Sequence, residues 1–475
     1  MMQDGANETA AVTEARSRAL KIAAACGLPE RDVDLVMTGG RHVLPVRYPL
    51  GLAAAGVLGA SGLALESYAR LRGAPSQTVR VDVEHAGYGL VGFRQVRLNG
   101  RPIGSPGDAN PLVGMYRCRD GRWFALHGGF ESLREVTLKV LGAEATAESV
   151  AAAVARRDAL ELEELFAAHR LCGVVCRSAN DWRQCVAGRA LAAEPLVDLA
   201  RIDEADAAPP RPWRAGEGAL AGVRVLDCTR ILAGPTCGRL LAAAGAQVLA
   251  TTPVRLPNVD VYALETSHGK RFLEVDLDDV QGHLLGLELA DGCDVLVDSF
   301  RPGALARRGL GPQALAARRR RHGVVYVSIN CYGYSGPWIE RAGWELMGQA
   351  ATGLAVGQGG PDGPLPLWTY PCDYLTGYLG AMGAVMALER RAREGGSWHV
   401  KVSLARTGMH AQELGVRHEP RPAPTDGARR FCDVADTDLG RLRYLPVPLS
   451  LDATPLHGWR PAVHLARGSD PWAAS

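Results

Sequence analysis

Four short apolar runs in the second half of this chain constrain its fold more than any other feature. They are Val223-Arg224-Val225-Leu226-Asp227, Ala246-Gln247-Val248-Leu249, Asp294-Val295-Leu296-Val297 and Val324-Val325-Tyr326-Val327-Ser328-Ile329. Each is separated from the next by helix-forming sequence. Strands that are apolar almost throughout are buried on both faces, which marks a parallel sheet covered by helices. Right-handed crossovers then give a Rossmann-like layering. After the first run, Gly234-Pro235 opens a helix, Thr236 to Ala244. The fold class is therefore α/β, a Rossmann-like parallel sheet with helices on both faces plus a smaller α+β domain.

The first half supplies the smaller domain. Residues 1–40 read as a tail with a short helix, Glu14 to Cys26. Residues 41–201 form a first block. It opens with a small-residue stretch, Leu50 to Leu65, whose 16 residues fall short of the ~20 that span a bilayer, so a close-packed buried helix is expected. A strand follows at Thr78 to Val83. In Tyr116 to Leu126, Asp120-Gly121 joins two alternating runs, the signal of a type I′ hairpin. Helices fill Ala143 to His169. Residues 202–218, with Pro209, Pro210 and Pro212, read as an exposed linker, and residues 219–475 as the Rossmann-like segment.

An internal repeat connects the halves. Tyr48-Pro49 matches Tyr370-Pro371, Ala64-Leu65-Glu66 matches Ala387-Leu388-Glu389, and Val79-Arg80-Val81 matches Val400-Lys401-Val402. Small-residue helix, turn and strand recur in the same order, which points to duplication.

Composition narrows the function. Lys plus Arg number 53 and Asp plus Glu 51, too even a balance for a nucleic-acid partner. Eleven cysteines, with no CxxC pair and no metal spacing, read as reduced thiols in the cytoplasm, and no metal site is expected. The polar opening, Met1 to Glu14, lacks a signal-peptide pattern, and no membrane partner is expected. GxSxG, GxxxxGK[ST] and HExxH are absent. Gly87-Tyr88-Gly89-Leu90-Val91-Gly92 fits GxGxxG, but Phe93 to Leu98 alternates like a strand where a dinucleotide site needs a helix. Gly357 to Gly363 reads as a plain flexible loop.

From Gly218 onward the chain resembles the family III CoA-transferases (CaiB/BaiF-type), the group that includes formyl-CoA transferase and α-methylacyl-CoA racemase. Five blocks carry the resemblance in order: Leu220 to Leu249; Gly269-Lys270-Arg271 into Glu274-Val275-Asp276-Leu277; Asp294 to Val297 with Phe300-Arg301-Pro302-Gly303 and Gly309-Leu310-Gly311; Ser328 through Gly333, Ser335-Gly336-Pro337 and Gln349 to Gly353; and Pro371-Cys372-Asp373-Tyr374 with Thr376-Gly377. More faintly, residues 43–199 resemble the family's small domain, which here precedes the Rossmann-like part. The chain thus resembles a rearranged, partly duplicated member.

The resemblance implies a mechanism and its residues. Asp373 falls at the position of a carboxylate that attacks an acyl-CoA thioester and passes through an anhydride to an aspartyl-CoA thioester. Asp before a long helix is also a favoured N-cap. Backbone N–H groups near Gly377 or Gly333 are candidate oxyanion donors. Trp344-Glu345 stands where the racemases carry His-Asp, which leaves Glu345 as a possible base and Trp344 as core or lid. Trp368 and Tyr370 suggest an apolar wall. Arg230, Ala233, Gly234, Pro235, Lys270, Arg271 and Arg301 are the candidates for coenzyme A, at the sheet edge where open α/β folds bind ligands. Coenzyme A enters as acyl-CoA substrate with a carboxylic acid acceptor, and no permanently bound cofactor is expected. The first repeat carries Leu50 or Gly51 where the second carries Asp373, so one active site per chain follows. The family's interlocked dimers imply a homodimer.

Three activities fit this sequence: CoA transfer, acyl-CoA epimerisation or isomerisation, and CoA binding by a non-catalytic subunit.

Overall fold

This computed structural model describes residues 2–28, 33–104, 110–207, 209–251, 259–419, 426–466 and 469–472. Residues 1 and 29–32 of the expected tail and residue 208 of the expected linker lie outside them.

The chain opens with helix α1 (Met2–Ala25), one continuous helix instead of a tail and a short helix. Ala15 and Ala19 are fully buried against helix α2 (Leu50–Leu71). The packing of α2 explains its composition. Small side chains let neighbours approach from every side, and nearly its whole length is buried. At 22 residues it outruns the sequence expectation and is long and apolar enough to cross a membrane, yet it lies inside the fold. Nor does the GxGxxG stretch lead into a strand at Phe93. It spans the end of a short helix, Val83–Gly89, and the start of α3 (Gly92–Gln95).

The small domain follows. Strands Val113–Arg117, Trp123–His127 and Gly173–Val175 form an antiparallel sheet, with a core of its own around Phe124, Leu162 and Phe166. The expected hairpin is present, but its turn is not type I′. The connection runs from Cys118 to Arg122, and only Gly121 takes a positive φ, 80°.

The main sheet has eight strands: β1 (Asp198–Asp203), β2 (Arg224–Cys228), β3 (Gln247–Thr251), β4 (Lys270–Leu273), β5 (Val295–Asp298), β6 (Val325–Asn330), β7 (Ser397–Ser403) and β8 (Val463–His464). Their spatial order is β8-β4-β3-β2-β5-β6-β7-β1, and only β1 runs antiparallel to its neighbour. The stretch β4-β3-β2-β5-β6-β7 has the doubly wound order in which ligands bind where the strand order reverses, here between β2 and β5. The reason these runs form central strands is visible in the two cores. Val225, Val295, Val297, Val325 and Val327 enter the larger one, while Leu226, Leu296 and Tyr326 enter a second on the opposite face. Alternate side chains point to opposite faces, and both faces are covered.

Four helices frame the carboxyl edge of the sheet: α4 (Ala233–Ala243), α5 (Glu345–Thr352), α6 (Pro371–Glu394) and α7 (Leu404–Gln412). The two copies of the repeat, α2 and α6, pack on each other. The Ser67 hydroxyl donates to the buried Glu389 carboxylate at 2.7 Å. Each copy continues into a strand and then a helix, Val79–Asp82 into Val83–Gly89 and β7 into α7. The segment after β1 is pinned by the buried Arg72, whose guanidinium donates to the carbonyls of Arg211 and Ala219. Gly357 to Gly363, expected as a loop, is helical up to Asp362.

Helix α6 crosses α4 at Gly377, where a Cβ would stand 2.5 Å from the Ala233 carbonyl oxygen. One turn later at Gly380 nothing lies closer than 3.5 Å. Gly377→Ala is therefore expected to lower stability by about 1–3 kcal/mol through overpacking. Gly380→Ala should be neutral or stabilising, because alanine favours helix by roughly 1 kcal/mol over glycine. Urea unfolding of the two variants checks the contrast.

Candidate active site

The crossing of α4 and α6 fixes where Asp373 stands. Asp373 precedes Gly377 by one helical turn, so it lies on the same face of α6, beside the first turn of α4. It is not the N-cap. Tyr370 holds that place without a side-chain bond, and Pro371 occupies the first helical position. The capping is done from another element. Glu345, at the start of α5, accepts the Asp373 N–H at 2.6 Å through one carboxylate oxygen. Its other oxygen accepts the Cys372 N–H at 3.2 Å and the Gln349 amide at 2.8 Å. A carboxylate at a helix N-terminus satisfies orphan amides and meets the positive end of the dipole.

Both carboxyl groups are buried. Burial pushes the Asp373 carboxyl well above the usual range, and the neighbouring Glu345 charge raises it further. Burial lifts Glu345 to about 7 against the opposing pull of its hydrogen bonds.

Asp373 lines two cavities. The first, about 230 Å³, lies at the carboxyl ends of β2, β5 and β6 and is bounded by Arg230, Ala233, Gly234, Arg301, Cys331 and Trp344 among others. The Arg230 Nε and one terminal nitrogen are shut off from solvent with no hydrogen-bond partner among the described residues. Burial lowers its pKa. Such a guanidinium is costly unless an acceptor arrives. Through Phe300 and Arg301 this cavity adjoins a groove lined by Arg170, Arg307 and Arg308 together with Asp276 and Asp278, and Asp278 pairs with Arg308.

The second cavity, about 250 Å³, is bounded by Arg94, His127, Phe130, Tyr262, Tyr370 and Leu367, together with Trp344 and Glu345. His127 stacks on Phe130, and both rings meet Trp344 at a tilt. Burial holds the His127 imidazole down at about 4, so it is neutral at pH 7.

Ile231 separates the two, lining both. Its φ is +72°. A β-branched residue in the left-handed region is strained, by about 1–3 kcal/mol, and such strain collects at functional sites.

The structure thus brings Asp373, Arg230, Ala233, Gly234 and Arg301 to one cavity, with Glu345 behind Asp373. Trp344 and Tyr370 line the cavities as well, whereas Pro235, Lys270 and Arg271 lie elsewhere. The Lys270 ammonium is buried and donates to Asp227 at 2.9 Å and to the Pro235 carbonyl at 2.8 Å. Asp227 also accepts the Thr229 amide at 3.1 Å and its hydroxyl. Lys270 and Pro235 therefore tie β4, β2 and the first turn of α4 together. Arg271 donates to the Pro471 carbonyl away from both cavities. The two glycines expected to offer oxyanion amides do not. The Gly333 amide is taken by the Asn330 side chain at 2.8 Å, and Gly377 lies inside α6 against α4. Sequence reasoning passed over Cys172, Cys331 and Arg341 in the first cavity, and Arg94, His127 and Phe130 in the second. All three in the second come from the first block, more than 200 residues before Asp373, and only the GxGxxG stretch drew notice to that neighbourhood.

The profile of CoA-transferase family III matches residues 220–430. An acyl-CoA transferase of Gibberella moniliformis is 32% identical over 73% of this chain and 68% of its own length. An acetyl-coenzyme A transferase of Hypoxylon pulicicidum is 31% identical over 62% of this chain and 53% of its own. A probable fatty acyl-CoA transferase of Mycobacterium tuberculosis, Rv3272, is 32% identical over 44% of this chain and 59% of its own length. A crystal structure of that protein superposes with a TM-score of 0.39 at 31% identity, over 41% of this chain and 56% of the other. With the first of these relatives matched at 32% identity over 68% of its length, the chain belongs to CoA-transferase family III.

Proposed function

We propose that this chain moves CoA between an acyl-CoA and a free carboxylic acid, with Asp373 as the nucleophile. The observation that carries the reading is that Asp373 sits where two cavities meet. One opens at the strand switch point with the unpartnered Arg230 and continues into an arginine-lined groove, suited to the pantetheine and phosphates of CoA. The other is walled largely by aromatic and apolar side chains, suited to an acyl chain.

The steps balance without a co-reactant. An Asp373 oxygen attacks the thioester carbon, the C–S bond breaks, and CoA leaves as thiolate. The thiolate attacks the Asp373 acyl carbon of the anhydride and releases the donor acid as carboxylate. The acceptor carboxylate then attacks the aspartyl-CoA thioester and again frees the thiolate. That thiolate attacks the acceptor's carbonyl, and the Asp373 carboxylate is restored. A raised pKa serves this chemistry, because a more basic carboxylate is a better nucleophile once ionised. The Ala233 and Gly234 amides lie in the first turn of α4, where no intrahelical acceptor reaches them, and both residues line the cavity. They are the oxyanion donors in this scheme. Glu345 holds the first turn of α6 in place with both oxygens, and acts as a positioning residue.

Intact-protein mass spectrometry with a panel of acyl-CoAs and hydroxylamine or borohydride trapping tests the nucleophile. Wild type should carry a trappable adduct at Asp373. Asp373→Asn should carry none and lose about a thousandfold or more in turnover. An adduct that persists in the variant would overturn the assignment.

The pH profile follows from the raised carboxyl. Attack needs the ionised form, so kcat/KM should fall on the acid side at a higher pH than an ordinary Asp would give. Glu345→Gln removes the like charge and should move that acid limb to lower pH, while the larger effect of burial remains.

Two cations should separate by role. Arg230→Met is expected to weaken CoA binding about tenfold or more with the unfolding midpoint unchanged or raised. Lys270→Met strands the buried Asp227 and should cost about 3–5 kcal/mol of stability. Calorimetric CoA titration and thermal unfolding read the two effects.

A further inference from the structure

The second cavity contains a cation that the transfer chemistry does not use. Arg94, on α3, is held by three contacts that leave its charge unanswered. Its Nε donates to the Trp368 carbonyl at 3.2 Å. Its guanidinium lies over the Phe93 ring at 5.0 Å and the Trp368 ring at 5.4 Å. Among the described residues no carboxylate forms an ion pair with it. Phe93 in turn is fixed, since its N–H donates to the Tyr374 hydroxyl at 3.1 Å. That hydroxyl donates to the buried Glu265, which pairs with Arg239. The guanidinium is therefore aimed by a rigid polar network.

The other walls show what would lie against it. Phe130, Trp344, Leu367, Pro366 and Val113 are apolar, and His127 is neutral. Among the described residues, the ionisable carboxyls lining this cavity are Asp373 and Glu345. Glu345 is committed to the α6 amides, and Asp373 loses its charge whenever it is acylated or carries CoA. A purely hydrocarbon acyl group filling this cavity would desolvate Arg94 with no countercharge, at a cost of several kcal/mol. A chain ending in a carboxylate would meet the two-pronged donor set of the guanidinium with a matching pair of oxygens.

Resting on the transfer reading above, we propose that the acids exchanged at Asp373 are dicarboxylic, and that Arg94 holds the carboxylate remote from the reacting carbon. Donor acyl group and acceptor acid occupy the same cavity in turn, so the preference applies to both.

The test uses the full chain with acceptor acids of matched length: succinate and glutarate against butyrate and valerate. Wild type should favour the diacids by about a hundredfold in kcat/KM. Arg94→Met should lose most of that factor, through KM for the diacid, while rates with the monoacids change by less than about threefold. Arg94→Lys, which keeps the charge without the fork, should recover part of it. An equal loss on both classes would mean a structural role and overturn the proposal. So would a wild type that accepts monoacids as readily as diacids, a measurement that needs no variant. If Asp373 forms its adduct in those cases, the transfer reading survives and only the diacid reading falls. Absence of any adduct with every donor overturns both.

Discussion

Two carboxyl groups buried side by side would normally repel and cost the fold more than it can spare. Here the N-terminus of α6 makes the arrangement tolerable. Glu345 lies against the exposed amides of Cys372 and Asp373, and a helix N-terminus is among the few places in a protein interior where an anion is welcome. Much of the site follows from that contact. It fixes the first turn of α6, and so the direction of the Asp373 side chain. It joins α5, which carries Trp344 at its cap, to α6. It also keeps Asp373 short of favourable partners, which leaves its carboxyl hard to ionise and reactive when ionised.

A second polar network ties the halves of the chain together. Glu265 takes Arg239 at 2.6 Å on one oxygen and the Tyr374 hydroxyl at 2.6 Å on the other. Tyr374 reaches across to the Phe93 amide. Every member is buried and satisfied, and buried networks of this kind specify one arrangement because partial satisfaction is so unfavourable. The strand Gly440–Tyr444 near the end of the chain pairs with Arg97–Leu98, just after α3. The first block is therefore threaded into the second.

The sheet was legible in the sequence because burial on both faces leaves an unmistakable apolar run, and each expected run became a central strand. Arg230 and Gly234 were legible for a related reason, since they follow a strand directly and the strand's end fixes their place. Lys270 was not. It was expected beyond the carboxyl end of a strand, but it opens β4, and its partner, Asp227, lies 43 residues earlier, so that only folding brings them together. Glu345 stood out only for its place at the racemases' His-Asp position, as a base, whereas the amides it accepts from are 27 and 28 residues downstream. Phe93 to Leu98 alternates like a strand, yet Gly92–Gln95 is a helical turn, held by Tyr374 from far along the chain. Nothing in the residue Ile231 announces a left-handed backbone. A β-branched side chain is among the least expected there, and only the meeting of two cavities accounts for it.

The wall at Ile231 has a consequence for how such a protein can diverge. Nearly all of the groove assigned to CoA comes from residues after 228, while the opposite chamber takes Arg94, His127 and Phe130 from before residue 200. On the proposed reading, the half of the reaction that handles the thioester rests almost wholly on the later stretch of the sequence, whereas the acid-binding half draws on both stretches. Changes in the first stretch can retune which acid is accepted without touching the machinery that handles the thioester.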